Sequence, residues 1–235
     1  KTLKDLQKQL NLPNLPRRIE SYDISNTGDS AMVAGMVVYE NGAPARKEYR
    51  RFRIKSISGP DDYTAMKEVL YRRFAEMDEG NEKFAKAPDL ILLDGGKGHL
   101  NAVLEMFREL DIQVPVVGMV KDRKHRTREL VTPQGMVSII QMPHIYSFIG
   151  SIQEEVHRFA ITYHRQMRKK DSMASALQNI PGVGKTLQKR LLKELKGLKG
   201  IKEASLEQLE GVERMPKKTA KAIYEYFHQQ EEQQV

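Results

Sequence analysis

The stretch Pro88–Leu100, PDLILLDGGKGHL, decides how the rest of the chain is read. Leu90, Ile91, Leu92 and Leu93 form an apolar run without polar alternation, as in a strand buried on both faces. Asp94 follows at the strand's end, then Gly95, Gly96, Lys97 and Gly98. A carboxylate carried out of a core on a rigid strand admits two readings. One is a capping or turn residue. The other is a ligand for a hard cation such as Mg²⁺ or Mn²⁺. In the second reading the glycines leave room for a backbone phosphate and Lys97 neutralises it. The glycine run is not a Walker loop, because GGKG lacks the spacing and the Ser or Thr after Lys.

Upstream, Arg18–Ser25 (RIESYDIS) reads as a strand and Ala31–Tyr39 as a Val-rich second one. Asn41-Gly42 marks a hairpin turn, since both residues tolerate positive φ. A third strand is expected through Tyr49, Phe52 and Ile54. Pro60-Asp61-Asp62 opens a helix with an apolar stripe of Ala65, Val69, Leu70 and Phe74. Downstream of Asp94, a helix is expected over 98–110, a strand over 114–120, a hairpin over 129–141 turning at Pro133-Gln134-Gly135, and a long helix over 145–169. Antiparallel strands followed by strand–helix alternation predict an α/β fold, a mixed sheet flanked by helices.

After Arg168-Lys169-Lys170 the strand patterns stop, and short helices are broken by glycines. We expect a domain over 1–170, a small all-α domain over 171–228 and a frayed tail over 229–235.

The chain has 235 residues, 40% of them hydrophobic, enough for one medium domain with a small one attached. There is no Cys, which excludes disulfides, thiolate metal sites and a thiol nucleophile. No apolar stretch approaches the roughly 20 residues of a membrane span. Lys1 opens the chain with no initiator methionine, as in a piece of something longer. Lys and Arg outnumber Asp and Glu by 39 to 31, which makes polyanions plausible partners.

Asp23 lies near the end of the first strand, and in this strand order it can neighbour Asp94. Two close carboxylates are costly unless a cation lies between them, and paired divalent ions suit phosphoryl transfer. Asp61 and Asp62 open a helix and fit its N-terminus as stabilising charges. His157, beside Arg158 and Phe159 on a helix, reads as a surface residue or a ligand. Lys121, Arg123 and Lys124 form a basic run after a strand, either a solvated loop or a DNA-backbone contact.

The segment Leu177–Leu195, LQNIPGVGKTLQKRLLKEL, carries a helix-hairpin-helix signal. Gly182 and Gly184 let backbone approach a ligand closely, N–H groups of the next helix point at a phosphate, and Lys185 and Thr186 add a charge and a hydroxyl. A second copy, Leu206–Phe227, repeats the apolar frame. Arg214 stands where a glycine is usual, so this copy either binds DNA through the side chains of Arg214, Lys217 and Lys218 or binds it poorly.

Four collinear blocks, SYDISNT, GPDDYTAM, PDLILLDGGKGHL and EEVHRFAITYHR, resemble the C-terminal nuclease half of the UvrC family of bacterial nucleotide excision repair. The resemblance covers essentially the whole chain. It implies a ribonuclease H-like domain, then a tandem helix-hairpin-helix domain gripping duplex DNA. It implies a catalytic, metal-holding triad of Asp23, Asp94 and His157, with Asp62 as an additional acid and Mg²⁺ or Mn²⁺ as cofactor. It implies a cytoplasmic endonuclease cutting on the 5′ side of a lesion in double-stranded DNA and leaving 5′-phosphate and 3′-hydroxyl ends. UvrB, with UvrA upstream, would be met through regions mostly absent here, as is the family's GIY-YIG nuclease. The rivals are a non-catalytic DNA-binding module and a recombinase- or resolvase-type nuclease on the same fold.

Overall fold

A computed structural model describes residues 1–26, 32–55 and 61–229. Ala31, Pro60 and the tail from 230 onward, named above, lie outside the described residues. The chain divides into two compact units, Lys1–Arg165 and Gln166–Val235.

The first unit is built on a sheet of eight strands among the described residues. They are β1 (Arg18–Ser25), β2 (Val33–Glu40), β3 (Ala43–Pro44), β4 (Arg50–Arg53), β5 (Leu90–Leu93), β6 (Val116–Lys121), β7 (Thr127–Thr132) and β8 (Gly135–Ser138). Their order is β3-β2-β1-β5-β6-β7-β8, with β4 also paired to β2. β1, β5 and β6 run parallel at the centre, and the outer pairings are antiparallel. The hairpin turn sits where Asn-Gly predicts it, with Asn41 and Gly42 both at positive φ. The expected third strand is broken. β3 ends at Pro44, the Ala45 N–H still donates to the Val38 carbonyl at 2.8 Å, and a short 3₁₀ turn over Arg46–Glu48 then precedes β4.

Helices cover both faces. α2 (Asp62–Asp78) and α3 (Lys97–Glu109) pack on one, around Tyr22, Met36, Val69, Leu70 and Leu93. α1 (Thr2–Gln9) and the part of α4 (Pro143–Gln178) within the first unit pack on the other, around Ile19, Val37, Leu92 and Ile152. Because strand side chains alternate, Glu20 and Tyr22 face α2, whereas Ile19, Ser21 and Asp23 face α4. The long helix ends at Gln178, beyond the expected 169.

On the α2 side, Glu20 is completely buried and takes both carboxylate oxygens to guanidinium donors. Arg73 Nε lies 2.8 Å away, Arg73 Nη2 2.9 Å and Arg18 Nε 3.1 Å. Arg73 is itself fully buried and also donates to the carbonyls of Phe84 and Lys86.

The second unit contains the end of α4 with α5 (Lys185–Glu194), α6 (Leu198–Glu203), α7 (Leu206–Glu210) and α8 (Lys217–Gln229). Its core gathers Leu177, Ile180, Leu191, Leu209 and Ile223. Among the described residues no helix is long and apolar enough to cross a membrane.

Candidate functional site

The parallel pairing of β1 with β5 aligns Tyr22 with Leu93, so the next residues, Asp23 within β1 and Asp94 just past β5, stand side by side. The Asp94 N–H donates to the Tyr22 carbonyl at 2.9 Å and holds that register at the strand ends. Both aspartates are buried, at 6% and 8% exposure. α4 crosses above them and lowers His157 onto the pair. His157 Nδ1 lies 3.0 Å from Asp23 Oδ2 and 4.0 Å from Asp94 Oδ2. One ligand atom from each of the three residues falls within 4.8 Å of the others.

Lys121, at the bulged end of β6, brings its ammonium 2.8 Å from Asp94 Oδ1. The approach lies off hydrogen-bond geometry, so both Asp94 oxygens are buried without a hydrogen-bond donor. Buried carboxylates ordinarily have donors. A buried acid with bare oxygens, beside a second acid and an imidazole, is the donor set that hard or borderline divalent ions take. The residues present therefore fit such an ion.

Burial lifts the Asp23 carboxyl to about 6; the Asp94 charge adds to this, and the His157 bond and Lys121 oppose it. The bond to Asp23 raises the His157 pKa above its ordinary value, against partial burial.

The structure separates the two acids that open α2. Asp61 is the cap, accepting from the Thr64 N–H at 3.1 Å and its hydroxyl at 2.6 Å. Asp62 is not used in that way, and its Oδ1 is buried without a partner. Asp62 lies outside the three-residue cluster. Its charge favours the protonated form of His99, whose pKa burial nonetheless lowers.

The expectation that the glycines after Asp94 clear space for a phosphate needs correction. A Cβ on Gly95 would collide with the His99 ring, and one on Gly98 would stand 2.6 Å from the Tyr63 hydroxyl. Those two glycines accommodate the protein's own edge-to-face Tyr63–His99 pair. Only Gly96 faces open space, with the exposed Lys97 after it. Arg123 and Lys124 are exposed on the β6–β7 turn, where Asp122 accepts the N–H groups of Lys124 and Arg126. Sequence reading missed His99, Tyr63 and the approach of Lys121 to Asp94. The first two had one usable signal, an aromatic ring near each glycine in a run that a phosphate loop does not require.

In the second unit, Gly182 has φ +88° and sits where a Cβ would stand 2.5 Å from the Thr219 hydroxyl. Gly184 caps α5 with nothing near it, and Lys185 and Thr186 are exposed beyond. Arg214 keeps the left-handed turn at φ +55° and is exposed, so the turn is retained with strain. Pro216 replaces the open glycine before α8, and Lys217 and Lys218 are exposed on its first turn.

The family model described as the UvrC RNase H endonuclease domain matches residues 7–161, and one described as a helix-hairpin-helix motif matches 173–235. The UvrABC system protein C of Acetivibrio thermocellus is 45% identical over 97% of this chain. That of a Thermoanaerobacter species is 47% identical over 90%. The chain spans 39% and 36% of the lengths of those relatives. Among solved structures, human ENDOV aligns at 12% identity and a TM-score of 0.37, over 68% of this chain and 89% of that one.

Proposed function

Because this chain belongs to the UvrC family, we propose that it is the divalent-metal nuclease part of a cytoplasmic DNA-repair protein, cutting damaged duplex on the 5′ side of a lesion. The observation that carries this reading is the convergence of the buried Asp23 and Asp94 with His157, with neither Asp94 oxygen in a hydrogen bond among the described residues. Asp23, Asp94 and His157 would hold the ion, Mg²⁺ or Mn²⁺, with imidazole favouring the latter. A bound ion supplies the Lewis acidity that phosphodiester hydrolysis needs.

The chain's own groups supply the rest. The rigid strand ends fix the acids, so little reorganisation is needed at the moment of reaction. Lys121 and Lys97 offer positive charge to a phosphate, and Gly96 leaves an approach open. Hydrolysis adds water across the P–O3′ bond and leaves 5′-phosphate and 3′-hydroxyl ends. The open Gly184 turn with Lys185 and Thr186 would grip backbone phosphates and fix position without reading sequence. Arg123, Lys124, Lys217 and Lys218 add charge to the same task. UvrB would be met through parts of the longer relatives that this chain does not span.

The test is Mn²⁺-dependent nicking of a lesion-bearing duplex, with UvrB, by the wild type and by Asp94→Ala. The variant should lose nicking and Mn²⁺ binding while keeping metal-free DNA affinity. Retained nicking would sink the assignment. Equal nicking of branched junctions would favour the recombinase alternative.

A further inference from the structure

We infer that Tyr63 reads the sugar beside the cut: its exposed ring packs on the deoxyribose of the flanking nucleotide and disfavours a ribose there, an inference that rests on the nuclease reading above. Two seats in the backbone carry it. A Cβ on Gly95 would collide with the His99 ring, and one on Gly98 would stand 2.6 Å from both Cζ and Oη of Tyr63. The turn after Asp94 thus gives up two side chains so that two rings can lie against it. The rings meet edge to face, with centres 4.7 Å apart and planes at 90°.

Such pairs commonly close a core. This one stays open, with Tyr63 52% exposed. An exposed aromatic by itself needs no explanation. Tyr71 is equally exposed, eight residues on and about 12 Å further down α2. Tyr63 differs in its seat and its place. Gly95 directly follows Asp94, and the charges of both Asp62 and Asp94 act on the His99 imidazole. The ring therefore stands at the rim of the candidate site. Along the same turn, Gly96 has open space over it and Lys97 is exposed. A helical turn of about 5.4 Å and a duplex rise of about 3.4 Å per nucleotide are of similar size. A phosphate that meets Lys97 then brings an adjoining sugar to the ring over Gly98.

The ring's orientation selects that sugar. Its hydroxyl end rests against Gly98, which leaves the hydrocarbon part to meet a ligand. Deoxyribose has an apolar face that fits such a surface. A 2′-hydroxyl pressed there would lose water without gaining a partner, and that group is what lets a protein tell RNA from DNA at one position.

The experiment measures nicking, with UvrB, of lesion-bearing duplexes that carry one ribonucleotide on either side of the incised bond. At one of the two positions the wild type should nick about tenfold more slowly than on all-DNA duplex. Tyr63→Ala should slow nicking of all-DNA duplex and reduce that ratio to about twofold or less. Tyr63→Phe should keep the ratio, because the hydroxyl does not meet the sugar. Tyr71→Ala should behave as the wild type. An equal rate on all three duplexes in the wild type overturns the proposal. So does a Tyr63→Ala variant that slows every duplex alike, which would make the ring a brace for His99 and the ribose effect a property of the substrate. Failure of the nuclease reading looks different, because nicking would then survive Asp94→Ala whatever Tyr63 does.

Discussion

Glu20 and Asp23 stand three residues apart on β1, both buried, one facing α2 and the other α4. Glu20 has guanidinium donors on both oxygens. Asp23 has one imidazole, and its neighbour Asp94 faces the Lys121 ammonium across 2.8 Å but makes no side-chain hydrogen bond among the described residues. A buried charge that the fold itself neutralises holds the fold together, since removing its partner strands an ion in low dielectric. A buried charge that the fold leaves short of donors is kept for something that arrives later. The two cases share one strand, so sequence neighbourhood and burial do not distinguish them; the census of donors does.

The largest test breaks the pairs separately. Arg73→Met should destabilise the first unit by about 3–5 kcal/mol, read by denaturant unfolding. Asp94→Asn should change metal-free stability far less, because losing a like-charge neighbour of Asp23 offsets losing the ion pair with the half-buried Lys121, while nicking disappears. If Asp94→Asn unfolds the chain as Arg73→Met does, the two acids play the same structural role and the contrast collapses.

Proton uptake sharpens the contrast. With its carboxyl at about 6 against an ordinary 3.8, Asp23 in the folded chain keeps a proton that the unfolded chain has released between those values. Its influence therefore lowers stability as pH rises from about 4 to about 6. His157, raised above 6.5, adds stability that is complete below that value and is lost as pH climbs through its folded pKa. An incoming ion must expel both protons, so Mn²⁺ affinity should fall at least about tenfold from about pH 7.5 to about pH 5. Calorimetric titration checks this, and a flat profile would remove Asp23 and His157 as ligands.

Gly35→Ala probes how α4 places His157. The new Cβ would stand 2.9 Å from the Phe159 ring and 3.2 Å from the Ala160 backbone, which cannot swing aside. A cost of about 1–3 kcal/mol is expected, together with weaker Mn²⁺ binding as His157 moves off Asp23. Native Mn²⁺ affinity would mean that α4 yields without disturbing its histidine.

The same division between fold-held and ligand-reserved positions recurs, on a smaller scale, at the first hairpin turn of the second unit. Gly182→Ala should destabilise that unit by about 1–2 kcal/mol through its positive φ and the Thr219 contact. Gly184→Val should leave stability nearly unchanged and weaken DNA binding. The smallest effect belongs to Arg214→Gly, which relieves a left-handed arginine and should stabilise by at most about 1 kcal/mol.

Much of this was legible in the sequence for identifiable reasons. β1 matches its expected limits because basic and turn residues bound an unbroken strand pattern. The LILL run placed a central strand, and its final Asp placed one acid. The strand after the hairpin broke into a 3₁₀ turn over Arg46–Glu48, which no alternation in the sequence announces. His157 had no pattern of its own, because one histidine on a helix face carries no periodic signal; the resemblance alone pointed to it. Arg73, in the pair Arg72-Arg73, reads as solvated, since its burial depends on a partner 53 residues away.

The approach of Lys121 to Asp94 has a consequence for the order of assembly. It gives the cluster an internal positive charge before any divalent ion arrives, so the ion-free edge shows DNA little net charge. If the proposed ion binds there, ion and DNA are thermodynamically linked ligands. Whatever factor the ion adds to the grip on DNA, DNA must return to the grip on the ion.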